Sequence, residues 1–165
     1  MIRAAVPGDL PALEPVYAAA RRFMAEHGNP TQWSDRYPLP EDLAADVEKG
    51  QLYVWVPDGT VHGAFVLQSG EEPNYREIQG AWRSAAPYGT IHRVASDGAF
   101  HGMFTACVSF CRARFGHLRI DTHADNAPMR HLILQHGFRP CGVIRVEDGS
   151  PRLAYDWLRE DETPG

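Results

Sequence analysis

Residues 125–138 read DNAPMRHLILQHGF, and this stretch decides the fold that the sequence predicts. Asn126 is a favoured helix-capping residue, and Pro128 lies in the first turn, where a helix tolerates proline. Four residues recur at helical spacing and share one face: Met129, Leu132, Ile133 and His136. Gly137 then ends the helix, because glycine readily adopts the left-handed conformation found there. The stretch predicts a capped helix that leads directly into a strand.

Strands are predicted on both sides of this helix. Residues 118–122 precede it, and residues 138–146 and 152–158 follow it as a hairpin, with the turn at Glu147-Asp148-Gly149-Ser150-Pro151. A helix over 101–115 separates residues 118–122 from a strand over 89–95. The two strands are therefore expected to be parallel neighbours, since a helical crossover usually joins such a pair.

The first half of the chain predicts a strand, two helices and a hairpin. The expected elements are a strand over 2–6, a helix from about Leu10 that Gly28 ends, a second helix that begins at Pro40, and strands over 51–56 and 61–68. Pro11 and Pro15 are expected to confine regular hydrogen bonding to the later turns of the first helix. The segment 69–87 is expected to be a long loop with at most one turn of helix.

Together these elements predict one α/β domain over residues 1–158, with a frayed tail over 159–165. The expected architecture is a single mixed sheet of six to seven strands flanked by about four helices. A chain of 165 residues with 44% hydrophobic and 22% charged residues suits one such core.

Composition restricts the partners. A net charge of -5 argues against nucleic acid as a partner, because phosphate binding needs clustered Lys and Arg. The same charge is compatible with a cationic amine substrate. No apolar run approaches the roughly 20 residues needed to span a bilayer. A cytoplasmic protein is expected, and a homodimer is left open. Cys107, Cys111 and Cys141 are expected to be reduced thiols, and the scattered histidines predict no metal site.

The order of elements and the 125–138 stretch resemble the GNAT superfamily of acyl-CoA-dependent N-acyltransferases, over nearly the whole chain. The family signature is Asn-x-x-Ala-x-x-Leu-Tyr-x-x-x-Gly-Phe, and four positions match: Asn126, Leu132, Gly137 and Phe138. Met129 replaces the small residue. Ile133 stands where many members carry a tyrosine thought to protonate the departing CoA thiolate.

A second segment is similar to the fourth strand and pyrophosphate loop of that superfamily. It reads IHRVAS over residues 91–96, followed by GAFHGMFT over 98–105. Gly102 fits the first glycine of the Arg/Gln-x-x-Gly-x-Gly/Ala pattern, whereas Ala99 replaces Arg/Gln and Phe104 replaces the second glycine. The resemblance implies acetyl-CoA as co-substrate. The cofactor-binding residues it implies are Val94, Ala95, Ser96, His101, Gly102, Met103, Phe104, Thr105 and Asn126.

The resemblance also implies a reaction. Pantetheine would pair with the strand edge near Val94 and Ser96, and a backbone N–H near Val94 would face the thioester carbonyl. An amine would attack directly. Two residues are the catalytic candidates, His92 as general base and Ser96 as acid, although His92 also suits a structural role in the core. Glu72 and Glu77 are alternative bases, Tyr88 and Tyr155 alternative acids, and the thiolate can also leave without an acid.

Four residues are candidates for the acceptor site: Trp33, Glu72, Tyr75 and Trp82. Tyr37 and Ile78 lie in the same two loops. A different class of function remains open, a catalytically weak or inactive acyl-CoA sensor, because Ala99, Phe104 and Ile133 depart from the family pattern. A redox or metal protein built on Cys107 and Cys111 is the third hypothesis.

Overall fold

The structure, a computed structural model, describes residues 1–30, 32–33 and 37–162. Four α-helices lie in these ranges: α1 (Leu10–Glu26), α2 (Pro40–Glu48), α3 (Met103–Arg112) and α4 (Ala127–Gln135). The strands are β1 (Ile2–Ala4), β2 (Leu52–Trp55), β3 (Gly63–Ser69), β4 (Gln79–Gly80), β5 (Gly89–Ser96), β6 (His117–Thr122), β7 (Arg139–Arg145) and β8 (Pro151–Leu158).

The described strands form one mixed sheet in the order β1-β2-β3-β5-β6-β8-β7-β4. The parallel pair is β5 and β6, in register from Gly89 opposite Leu118 to Ile91 opposite Ile120. This confirms the parallel pair expected from the helical crossover. The fold class is also confirmed, although the sheet has eight strands instead of the expected six to seven.

The chain divides into two compact units. The first unit comprises Met1–Leu67 with His92–Cys107, and the second comprises Gln68–Ile91 with Val108–Gly165. The division falls inside β5, so residues 92–96 of this strand belong to the first unit.

The core of the first unit forms between α1 and the strands. Leu13, Val16, Tyr17 and Ala20 recur at helical spacing on α1 and are buried together with Leu52, Val54 and Val66. Contrary to expectation, α1 is regular from Leu10 onward. Pro11 lies in the first turn, where no intrahelical N–H is required, and Pro15 removes one hydrogen bond that the surrounding apolar packing offsets.

The core of the second unit lies around β6 and β8. These strands pair antiparallel from His117 opposite Leu158 to Thr122 opposite Leu153. Leu118 and Trp157 are opposite each other in this register, and each is at most 1% exposed.

Strand β4 is the strand that the sequence did not predict. It pairs antiparallel with β7, where Gly80 lies opposite Gly142. A Cβ on Gly142 would lie 2.0 Å from the carbonyl oxygen of Gln79, and one on Gly80 would lie 2.1 Å from that of Cys141. Because no side chain fits at these distances, the pairing requires glycine at both positions.

The long loop before β5 is anchored at Arg83. Its guanidinium contacts buried Asp156 at 2.6 Å and binds both carboxylate oxygens of Asp161 at 2.7 and 2.8 Å. Asp161 lies in a 3-10 turn over Arg159–Glu162. The tail expected to be frayed is therefore ordered through Glu162, while 163–165 lie outside the described residues.

The three cysteines are free thiols, with Cys107 and Cys111 buried in α3. Among the described helices, none is long and apolar enough to cross a membrane.

Candidate functional site

Strand β5 departs from regular geometry at Arg93. Its φ is +48°, and in the part of the chain that the structure describes no other non-glycine residue has a positive φ. A side chain in the left-handed region costs energy, because Cβ approaches the following carbonyl oxygen. Such a conformation persists only where the surroundings hold it in place, and it occurs frequently at active sites.

Three side chains hold Arg93. The Tyr17 hydroxyl donates a hydrogen bond to the Arg93 carbonyl oxygen at 2.7 Å. The guanidinium contacts the Asp46 carboxylate at 2.6 Å, and its Nε donates to the Tyr37 hydroxyl at 3.0 Å. Tyr17 and Asp46 are 1% and 4% exposed, so the anchors belong to the interior of the first unit.

The ionisation states suit these contacts. Burial raises the pKa of Tyr17, so its hydroxyl keeps the proton that it donates. Burial opposes the charge on Arg93, but Tyr37 and Asp46 outweigh it and raise the pKa of the guanidinium. Burial also raises the pKa of Tyr37, partly offset by the Arg93 charge.

A short loop joins β5 to α3. The Ser96 hydroxyl accepts the Gly98 N–H at 3.1 Å, and the Asp97 carboxylate accepts the Ala99 N–H at 2.9 Å. Gly102 has a φ of +93°, and its carbonyl accepts the Ala106 N–H at 3.0 Å, so α3 begins directly after it. A Cβ on Gly102 would meet no atom within 4 Å. The backbone at Gly102 is therefore open to close approach by a ligand.

His62 anchors this loop. Its carbonyl oxygen accepts the Asp97 N–H at 3.0 Å, its Nδ1 lies 2.7 Å from Asp97 Oδ2, and its ring packs edge-on against Phe100. The other ring nitrogen, Nε2, lies 3.0 Å from Asp58 Oδ1. The hydrogen bond with Asp97, which is the largest influence, and the contact with Asp58 raise the pKa of His62.

The predicted catalytic and pantetheine-binding residues occupy this part of β5. His92 and Val94 flank Arg93 and are half-buried, whereas Ala95 is in the core. In a regular strand His92 and Val94 would lie on one face, but the positive φ of Arg93 between them interrupts the alternation. Ser96 shapes the following turn, so its hydroxyl already has a structural function.

The predicted diphosphate-binding residues lie at the start of α3. His101 and Thr105 are exposed, and Met103 and Phe104 are each 5% exposed. The bulky side chain of Phe104 therefore points into the interior and does not fill the loop.

Two residues of the family signature have structural positions in the second unit. The Asn126 side chain caps α4 by accepting the Met129 N–H at 3.3 Å, as the sequence predicted. Ile133 is completely buried in α4.

Three of the four predicted acceptor-site residues belong to the second unit. The Tyr75 and Trp82 rings lie 4.9 Å apart, and the Trp82 indole N–H donates to the Tyr75 carbonyl at 3.0 Å. Glu72 is 8% exposed and caps a 3-10 turn by accepting the Asn74 N–H at 3.2 Å. Trp33 belongs to the first unit, where its ring packs against Tyr17 and Tyr37.

A cavity of about 470 Å³ lies beside this loop in the second unit. Its lining residues are Pro73, Asn74, Arg76, Glu77, Ile78, Gln79, Val143 and Arg145. Glu77 and Ile78, named from the sequence as further loop candidates, are among them.

Two polar residues of the second unit, Asp121 and Arg119, are not predicted from the sequence. Asp121 accepts the Tyr75 hydroxyl at 2.6 Å, and burial together with this carboxylate raises the pKa of Tyr75. Arg119 lies over the Trp82 and Tyr88 rings at 4.1 and 3.8 Å, and burial lowers its pKa. The sequence did offer a signal for both residues. In Leu118-Arg119-Ile120-Asp121, charged residues alternate with apolar ones in a predicted strand, and charged side chains in a buried strand are often functional.

Several solved structures with the same fold are named as acetyltransferases. A GNAT-family acetyltransferase from Streptococcus agalactiae is 28% identical with a TM-score of 0.87, covering 96% of this chain and 94% of that one. A putative acetyltransferase from Staphylococcus aureus is 23% identical with a TM-score of 0.68, covering 96% and 99%. The ribosomal-protein-S18-alanine N-acetyltransferase of Escherichia coli is 15% identical with a TM-score of 0.62, covering 100% and 96%.

No family model matches the sequence, and no curated protein matches it. The structural likeness nonetheless defines the class: a GNAT-fold protein. The chain has the fold of the GNAT superfamily over nearly its whole length, and the similarity supports acetyl transfer in general. Among the described residues, no group of three or more His, Cys, Asp or Glu side chains is arranged to hold a metal ion.

Proposed function

We propose that this protein is an N-acetyltransferase that moves the acetyl group of acetyl-CoA to a primary amine of a small molecule or peptide by direct attack. The observation that carries the proposal is the break in β5 at Arg93, followed within ten residues by an open glycine at the start of a helix. This combination supplies a displaced peptide group for a thioester carbonyl and a helix N-terminus for a diphosphate.

The diphosphate would bind at the first turn of α3. The N–H groups of this turn point out of the helix end, and the helix dipole favours a negative charge there. Gly102 permits close approach, so binding does not require the Arg or Gln that Ala99 replaces. Pantetheine would extend along Val94 and Ser96, with the Val94 N–H polarising the thioester carbonyl.

His92 is the proposed general base. A neutral imidazole can accept the proton of the attacking amine near neutral pH. Ile133 has no hydroxyl and is buried, so the thiolate would leave as the anion or take a proton through water. Trp33, Glu72, Tyr75 and Trp82 are the proposed acceptor-site residues.

The test is thiol release from acetyl-CoA in the presence of a panel of amines. His92→Ala should lower kcat by about 10²-fold with an unchanged affinity for CoA. His131→Ala, at an exposed position of α4, is the matched control and should leave kcat unchanged. Binding of acetyl-CoA without turnover on any amine would favour the alternative, an acyl-CoA sensor, which the buried Ile133 also supports. Unchanged kcat in His92→Ala would assign that residue a structural role.

A further inference from the structure

The peptide unit between Arg93 and Val94 has a defined orientation. Its carbonyl oxygen accepts the Tyr17 hydroxyl at 2.7 Å. In a trans peptide the C=O and N–H groups point in opposite directions. The Val94 N–H, which belongs to the same peptide unit, is therefore directed away from Tyr17.

The left-handed conformation of Arg93 determines this orientation. The angle φ rotates the following peptide group about the N–Cα bond, and +48° turns it far from its direction in a regular strand. Two side-chain contacts of the guanidinium, with Asp46 and Tyr37, oppose the relaxation of Arg93 to an extended conformation.

We propose that Tyr17 and Arg93 are positioning residues that together aim the Val94 N–H at the thioester carbonyl: Tyr17 fixes the carbonyl end of the peptide group, and the anchored Arg93 side chain maintains the backbone turn. The inference rests on the proposed function, because it assigns the polarised carbonyl to acetyl-CoA. Neither residue is assigned a contact with the reacting atoms.

Substitution at Arg93 separates the backbone effect from the side-chain effect. Arg93→Ala removes the anchor and disfavours a positive φ. Arg93→Gly removes the same anchor but adopts a positive φ without a Cβ penalty. The alanine variant should lose up to roughly 10²-fold in kcat relative to wild type. Because the glycine variant avoids the Cβ penalty, its kcat should be about 5- to 30-fold higher than that of the alanine variant. The KM for acetyl-CoA should change little in both.

A spectroscopic measurement tests the same point without an acceptor. With acetyl-CoA labelled with ¹³C at the thioester carbonyl, binding to the wild-type protein should lower the carbonyl stretching frequency. Arg93→Ala should lose most of this shift and Arg93→Gly should retain more of it. Tyr17→Phe, which keeps the buried ring, should reduce it. Tyr53→Phe, on β2, is the matched hydroxyl-deletion control and should leave it intact.

The outcomes distinguish the two proposals. A shifted carbonyl in the wild type without transfer to any amine would overturn the transferase and leave the positioning role standing. Two outcomes would overturn the positioning role alone. In both, the wild-type protein transfers acetyl normally, but either Arg93→Ala and Arg93→Gly lose kcat equally, or the thioester carbonyl frequency does not shift on binding. Failure to bind acetyl-CoA would overturn both.

Discussion

The Nδ1 atom of His62 lies 2.7 Å from Oδ2 of Asp97, and this contact holds the first residue of the loop between β5 and α3. On the opposite side of the ring, Asp58 approaches Nε2 at 3.0 Å. Asp58 and Asp97 are the titratable groups that raise the pKa of His62 above 6.5, and the hydrogen bond with Asp97 has the larger effect. The protonated imidazolium is therefore the form that secures the loop.

This arrangement makes the loop sensitive to a rise in pH above 6.5. Because the pKa of His62 is higher in the folded state, its stabilising contribution is complete below pH 6.5 and is lost as the pH rises through the folded-state pKa. An NMR titration of the His62 ring should give a pKa above 6.5. Asp97→Asn should lower this pKa more than the control Asp58→Asn; an equal effect of the two would contradict the dominance of Asp97.

Gly102→Ala should weaken CoA binding. The new methyl group meets no atom within 4 Å, so the cost arises from the backbone, which has a φ of +93°. That strain corresponds to about 5- to 30-fold in the dissociation constant if the loop must keep its conformation to bind the diphosphate. Calorimetry with CoA measures it. Gly116→Ala is the control, since a Cβ there makes only ordinary contacts with Arg159 at 3.7 Å. Equal affinities in both variants would show that the diphosphate binds elsewhere.

Gly142→Ala should separate β4 from β7, because its Cβ would lie 2.0 Å from the Gln79 carbonyl oxygen. The expected loss of stability is about 1–3 kcal/mol, typical of inserting an atom into a packed region. Urea denaturation measures the loss. Gly149→Ala, also at a positive φ but with open space around its Cβ, reports the backbone strain alone. If it destabilises as much as Gly142→Ala, the steric explanation fails.

Asp161→Asn should destabilise the protein at neutral pH and much less in strong acid. The hydrogen bond with Arg83 lowers the pKa of Asp161 to about 2. A depressed carboxyl pKa stabilises the folded state above pH 3.8, and that stabilisation is lost as the pH falls through about 2. Thermal unfolding measured across this pH range should give melting temperatures of wild type and Asp161→Asn that converge as the pH falls. Exposed Glu160→Gln is the control. A difference in melting temperature that stays constant with pH would exclude ionisation of Asp161 as the cause.

Local signals predicted most of the fold. Asn126 and Gly137 delimit α4 because capping depends on neighbouring residues, and hydrophobic spacing located the longer helices and strands. Strand β4 escaped prediction because two residues, Gln79 and Gly80, carry no periodicity. Its pairing depends instead on Gly142, far away in the sequence.

The candidate site was predictable only in part. The glycine loop was found from its local sequence. The left-handed Arg93 was not, because its anchors Asp46 and Tyr17 are 47 and 76 residues away in the chain. A prediction from alternating side chains holds only in a regular strand. Nothing in the local sequence Ile91-His92-Arg93-Val94 indicates that the strand is interrupted at Arg93.

The indole of Trp82 gives the long loop before β5 an intrinsic optical reporter. Its N–H donates a hydrogen bond to the Tyr75 carbonyl oxygen, and the Arg119 guanidinium lies 4.1 Å from the ring centroid. A charge this close alters indole emission through the local electric field. Displacement of this loop by an acceptor molecule would change both contacts at once. The proposed binding of amines at this loop should therefore change tryptophan fluorescence, which can be measured without labelling the protein and before any turnover has been detected.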